Sequence, residues 1–201
     1  MFEKTATRSQ NIRILIADDH EIVRESLKRM LDVIEDIDVV GVCENGLEAY
    51  KKARELSPHI VLLDAIMPEC NGVEATRLIV NENHDIKVLM LTTFSDDELI
   101  FNAFHAGVTG YILKDITVEQ LIRCIYDCAE GNLIIPSEIA GKLVKRITGS
   151  PLEAEKFTET EKEIIPLMID GLSNKQISSK LNISYGTVRN YISGIYKKIG
   201  T

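Results

Sequence analysis

From residue 11 to about residue 131, short apolar runs alternate with longer stretches whose apolar residues recur at helical spacing. The apolar runs at 12–17, 39–43, 60–63, 87–91 and 110–113 have the length of buried strands. The intervening stretches at 21–33, 47–56, 73–81, 97–106 and 118–130 read as amphipathic helices. In the first of these, Ile22, Val23, Ser26, Leu27, Met30 and Leu31 share one face. Strict alternation of strand and helix predicts a parallel sheet covered on both sides. Five such units in about 120 residues fit a flavodoxin-like, doubly wound α/β domain.

The pattern changes after residue 131. A short helix is expected near 136–146, and Thr148-Gly149-Ser150-Pro151 then breaks the chain as a domain boundary would. Residues 157–201 carry no strand signal and read as three short helices, a small all-α unit. Thr158 with Glu161, and Ser173 with Gln176, make capping boxes for the first two. Ser184 caps the third, which runs through Val188, Ile192, Ile195, Tyr196 and Ile199 and stops at Gly200. Two short helices joined by a brief turn form a helix-turn-helix. The expected organisation is a loose tail at 1–10, a first domain at 11–131, a linker at 132–156 and a second domain at 157–201.

Charge adds an asymmetry. The net charge is −8, yet residues 171–201 hold Lys175, Lys180, Arg189, Lys197 and Lys198 and no acid. A wholly basic nucleic-acid binder is excluded, while the last stretch alone has the footprint of a phosphate-contacting surface. Cys43, Cys70, Cys124 and Cys128 form no CxxC pair and read as buried thiols of a reducing compartment. No run reaches membrane-spanning length, and residues 1–10 lack the pattern of a signal peptide, so a cytoplasmic protein without a membrane partner is expected. His20, His59, His84 and His105 have no ligand partner at motif spacing and read as structural or solvent-facing.

The chemistry gathers where the strands end. The first run ends in Asp18-Asp19, the third in Asp64, the fourth in Thr92 and the fifth in Lys114. The carboxyl ends of parallel strands form the ligand crevice of such a sheet. Three carboxylates there call for a cation, and Mg²⁺ is the default for carboxylate and phosphate oxygens. Charge suggests a division of labour. Asp18 and Asp19 hold the metal, and Asp64 is the nucleophile that accepts a phosphoryl group. Lys114 neutralises phosphoryl oxygens, and Thr92 hydrogen-bonds to one. An acidic pair after a strand is also a helix N-cap, and Asp18 or Asp19 can serve both ends.

Asp18-Asp19, Asp64-x-x-Met67-Pro68, Thr92, Tyr111 and Lys114, in this order and each near a strand end, resemble the signature of a response-regulator receiver domain. The resemblance implies phosphorylation of Asp64 by a sensor histidine kinase. It also implies a metal site completed by the backbone carbonyl of Ile66. Thr92 is expected to turn toward the phosphate, and Tyr111 to follow by changing rotamer. Asp115 stands where many receivers have proline after the lysine, which leaves the geometry of that peptide bond open. A metal-dependent phosphohydrolase is the competing class, but Ile66 occupies the position where such enzymes carry a second acid.

Phe157-Thr158, Glu161-Lys162-Glu163, Gly171-Leu172-Ser173-Asn174-Lys175, Ile183-Ser184, Gly186-Thr187-Val188-Arg189 and Lys197-Lys198-Ile199-Gly200 resemble the LuxR-type output domain of NarL/FixJ regulators. The resemblance implies that the helix from about Tyr185 enters the major groove of double-stranded DNA. Arg189, Asn190 and Ser193 then face base edges or nearby backbone. Lys175, Thr187, Lys197 and Lys198 are expected at phosphates. Val188, Ile192 and Ile195 are expected in the core. The resemblance further implies a homodimer on activation and contact with RNA polymerase. Thr160 stands where the family has arginine, and Pro166 is expected to kink the first helix or shift its start. The family has a fourth helix beyond the position of Thr201, so the output domain is expected to lack its last helix, with weaker DNA binding as the consequence.

Overall fold

A computed structural model describes residues 11–93, 96–132, 134, 157–169, 172 and 174–199. The expected helix at 136–146, the break at 148–151 and the Ser173 cap lie outside the described residues.

The five strands are β1 (Ile12–Ala17), β2 (Ile37–Cys43), β3 (Ile60–Leu63), β4 (Lys87–Thr92) and β5 (Gly110–Leu113). They form one parallel sheet in the order β2-β1-β3-β4-β5. The helices between and after them are α1 (Glu21–Leu31), α2 (Gly46–Leu56), α3 (Gly72–Glu82), α4 (Asp97–Ala106) and α5 (Val118–Ala129). The elements predicted between residues 11 and 131 are all present. The largest displacements are of two residues: β2 begins at Ile37, ahead of its apolar run at 39–43, and α1 ends at Leu31, short of the expected 33.

Side chains alternate across the sheet. Ile14, Ile16, Leu62 and Leu89 pack with Leu27, Leu31, Leu121 and Ile125 of α1 and α5. Leu15, Ala17, Val61 and Leu63 pack with residues of α2, α3 and α4 on the other side. Both faces are dry, which is why the strands read as continuous apolar runs. Each fully buried leucine or isoleucine stabilises by roughly 1.5–3 kcal/mol relative to exposure. Ile22 departs from its expected inward face. It is 82% exposed, in the first turn of α1.

After α5 the chain folds back along the open edge of β5. Tyr111 N–H donates to Ile134 O at 2.9 Å, and Ile134 N–H donates to Thr109 O at 3.2 Å. Gly110 is required at this seam, because a Cβ there would meet Leu89 Cδ1 at 2.5 Å and Ile134 Cβ at 2.9 Å.

The C-terminal unit holds α6 (Glu159–Ile169), α7 (Asn174–Leu181) and α8 (Tyr185–Ile199). Phe157, Ile164, Leu167, Ile177, Val188, Ile192 and Ile195 form its core, with Val188, Ile192 and Ile195 where the spacing placed them. The helix α6 runs unbroken through Pro166 from the expected start. The turn between α7 and α8 passes through Asn182 at φ 53°, a left-handed conformation that asparagine tolerates. Ser178 Oγ closes the turn by donating to Ile183 O at 2.6 Å. Among the described residues, no helix is long and apolar enough to cross a membrane.

Candidate functional site

The strand order reverses between β1 and β3, which opens a crevice beyond their carboxyl ends. The ladder continues one residue past the strands and fixes the residues that line this crevice. Asp18 N–H donates to Cys43 O at 3.2 Å, Asp64 N–H to Ala17 O at 2.8 Å, and Lys114 N–H to Thr92 O at 2.8 Å. Gly72 lets the loop after β3 fold close, since a Cβ there would lie 2.1 Å from Asp64 O. Arg24 ties α1 to the site through Nη1, which donates to Asp18 O at 2.6 Å.

Asp18 and Asp64 are buried, at 2% and 6% exposure. Lys114 Nζ lies between them, 2.5 Å from Asp18 Oδ2 and 2.7 Å from Asp64 Oδ2. Burial pulls the lysine pKa down, but the hydrogen bonds to Asp18 and Asp64 outweigh it and hold the ammonium above its ordinary value. Every peptide bond among the described residues is trans, including the one after Lys114. Thr92 and Tyr111 are both fully buried. Burial, and then the nearby charge of Asp64, raise the Tyr111 hydroxyl pKa.

Asp18, Asp19, His20 and Asp64 each place one ligand atom within 4.8 Å of the others, a grouping that could hold a metal ion. The donor set is mostly hard carboxylate oxygen, which suits a divalent cation such as Mg²⁺. His20 was not expected here. Its Nδ1 lies 2.8 Å from Asp19 Oδ1 and 3.3 Å from Asp18 Oδ1. It is also the N-cap residue of α1, and neither aspartate caps that helix with its side chain. Adjacency to the acidic pair was the available signal. The thiols stay outside the chemistry, with burial pushing Cys43 and Cys128 up to about 12.

In the C-terminal unit, Thr158 N–H donates to Glu161 Oε2 at 2.7 Å and Thr158 Oγ1 accepts from Glu161 N–H at 3.4 Å, completing the expected capping box. Ser184 Oγ accepts from Thr187 N–H at 3.1 Å and caps α8. Asn190 is exposed on α8, and Thr187 is partly exposed one turn into it. Lys175 lies on α7, and Arg189, Ser193 and Lys197 lie on α8; their side chains are outside the described set. Lys198 departs from expectation. Its Nζ donates to buried Glu161 Oε2 at 2.6 Å, so the partly exposed ammonium joins the capping box. Burial raises the Glu161 pKa, but the bonds from Lys198 and Thr158 outweigh it and hold the carboxyl below its ordinary value.

The two units meet. The helix α8 lies against α4. Asn132 Oδ1 accepts from Tyr185 Oη at 2.5 Å and from Asn174 Nδ2 at 3.2 Å. Sequence patterning carried no signal for this asparagine.

A parallel sheet with buried aspartates bridged by a lysine at its carboxyl edge, followed by a helix-turn-helix, defines a regulator with an acidic input pocket and a nucleic-acid-binding output. The model of the response regulator receiver domain matches residues 14–126, and that of bacterial regulatory proteins of the luxR family matches residues 155–201. The chain belongs to the response regulators that join a receiver to a LuxR-type DNA-binding domain. It is 40% identical to the transcriptional regulatory protein LnrK of Bacillus subtilis (strain 168), over 94% of this chain and 90% of that one. It is 37% identical to the response regulator protein VraR of Staphylococcus aureus (strain NCTC 8325 / PS 47), with the same coverage. Among solved structures it is similar to the response regulator ChrA of a heme-sensing two-component system, with a TM-score of 0.57 and 33% identity over 96% of this chain and 92% of that one. Such an architecture implies a kinase on the input side and DNA on the output side.

Proposed function

We propose that Asp64 is the phosphoacceptor of this regulator and that its phosphorylation frees α8 to bind DNA and control transcription. The observation that carries the reading is the bridge from Lys114 Nζ to Asp18 and Asp64, with Asp19 beside it. Three carboxylates facing one ammonium leave excess negative charge, which a divalent cation and then a phosphoryl group can organise.

An oxygen of Asp64 attacks the phosphorus of a phosphohistidine on the sensor kinase. The O–P bond forms as the P–N bond breaks, and the departing imidazole nitrogen takes a proton. Mg²⁺, held by Asp18, Asp19, Asp64 and the backbone carbonyl of Ile66, would supply charge neutralisation for the transferring oxygens. Lys114 exchanges its bond to Asp64 for one to a phosphoryl oxygen, keeping the new dianion paired. Thr92 donates its hydroxyl to another oxygen, and Tyr111 repacks beside it. Water attack at phosphorus later breaks the bond to the Asp64 oxygen, releases inorganic phosphate and returns Asp64 to its free form.

The domains divide as a tail at 1–10, a receiver at 11–131, a linker at 132–156 and an output domain at 157–201. Arg189, Asn190 and Ser193 face DNA base edges or nearby backbone, and Lys175, Thr187 and Lys197 contact phosphates. The Asn132 bond to Tyr185 and the packing of α8 on α4 hold the reading helix against the receiver. Phosphorylation shifts the population away from this closed arrangement, because the phosphorylated receiver favours the other state. The open form pairs with a second copy on adjacent half-sites and meets RNA polymerase in the cytoplasm. The test is acid-labile phosphate incorporation from a small phosphoryl donor. Wild type takes up label and Asp64→Asn does not; retained label on Asp64→Asn would overturn the assignment.

A further inference from the structure

We infer that His20 is a metal-selectivity residue, adding a nitrogen donor that favours borderline-soft divalent cations over Mg²⁺. The inference rests on the reading of the acidic pocket as a divalent-cation site. Four of the pocket's side chains offer ligand atoms that lie within 4.8 Å of one another, and one of those atoms belongs to an imidazole.

The geometry assigns the atom. Nδ1 faces both Asp19 Oδ1, at 2.8 Å, and Asp18 Oδ1, at 3.3 Å. The His20 backbone N–H also donates to Asp18 Oδ1 at 2.9 Å, so the residue is anchored at the pocket mouth by its main chain. The Oδ2 atoms of Asp18 and Asp64 are occupied by Lys114. Asp18 Oδ1 and Asp19 Oδ1, which remain for a cation, both lie against His20 Nδ1. A cation shared between Asp18 and Asp19 therefore sits beside His20 Nδ1, and the ring needs little adjustment to bind it. Being 69% exposed, the ring is also free to make that adjustment.

Ligand chemistry then sets the order. Mg²⁺ gains little from imidazole and keeps its water instead. Co²⁺, Ni²⁺ and Zn²⁺ bind imidazole well. The pocket thus takes these ions in competition with Mg²⁺.

The test is direct binding of Co²⁺ and Mg²⁺ to the full chain by calorimetry, with the Co²⁺ visible spectrum as a second readout. The exposed position makes His20→Gln a surface change. It is expected to weaken Co²⁺ by about tenfold or more, with loss of the nitrogen-ligand signature, while leaving Mg²⁺ within about twofold. Equal loss for both ions, or for neither, would overturn the role of His20. Asp19→Asn tests the reading beneath it. If that variant binds Mg²⁺ as wild type does, the pocket is not the cation site and the inference falls with it. If it loses Mg²⁺ while His20→Gln keeps full Co²⁺ affinity, the pocket stands and the inference alone fails.

Discussion

Each unit of this protein buries an acid and grips it with a lysine, and the two grips differ in what they leave over. In the output domain Glu161 receives Lys198 Nζ, Thr158 N–H and Thr158 Oγ1. One negative charge meets one positive charge and two neutral donors, so the charge is balanced. In the receiver, Lys114 is shared between Asp18 and Asp64, and Asp19 adds a third carboxylate. That cluster stays short of positive charge. The same pair of residue types is thus a structural clasp in one place and an input in the other, and the charge balance distinguishes them.

Removing each lysine sharpens the contrast most. Lys114→Met strands two buried carboxylates, and breaking a buried pair in this way costs about 3–5 kcal/mol. Added Mg²⁺ should recover much of that loss by replacing the missing charge. Lys198→Met is expected to cost less, about 1–3 kcal/mol, because Thr158 still donates to Glu161 and the lysine is partly solvated. Mg²⁺ should give it no recovery. Thermal melts of both variants with and without Mg²⁺ check the pair; equal rescue would erase the distinction.

Gly72→Ala probes how closely the backbone supports the input. The new Cβ would fall 2.1 Å from Asp64 O, so the loop after β3 must move. A loss of about 1–3 kcal/mol is expected, together with weaker cation binding, because Asp64 shifts with its carbonyl. Calorimetric melting and a Mg²⁺ titration would show it. Unchanged stability and affinity would mean that the loop does not position Asp64.

The smallest effect is the pH dependence of the clasp. The folded Glu161 pKa lies below the ordinary value of 4.5. Its contribution is therefore fully present above that value and is lost as pH falls through the folded pKa. The output domain should lose stability as acid is taken below about pH 4.5, and Glu161→Gln should flatten this limb. Far-UV melts across that range would measure it, and an identical acid limb in the variant would remove Glu161 as its source.

The strand and helix periods, and the acids at the strand ends, were legible because both sheet faces are buried and the crevice lies at a topologically fixed edge. Several features were not. The start of β2 was hidden because Asp38 interrupts its apolar run. The bridge from Lys114 to Asp18 spans 96 positions, and no local pattern encodes such a pairing. The ion pair of Lys198 with Glu161 was hidden because a basic stretch does not reveal which of its charges finds a partner within its own domain. Ile22 looked like core because helical spacing does not tell where the sheet beneath the helix ends. Asn132 is an unremarkable polar residue until the fold brings Tyr185 and Asn174 to it.

The central claim is that charge chemistry at Asp64 controls access of α8 to DNA. The most direct measurement is the affinity of the full chain for a DNA duplex carrying its operator, with and without a phosphoryl donor, for wild type and Asp64→Asn at fixed salt. The donor is expected to tighten wild-type binding and to leave Asp64→Asn unchanged. Equal affinity of wild type in both conditions, or an equal response of the variant, would contradict it.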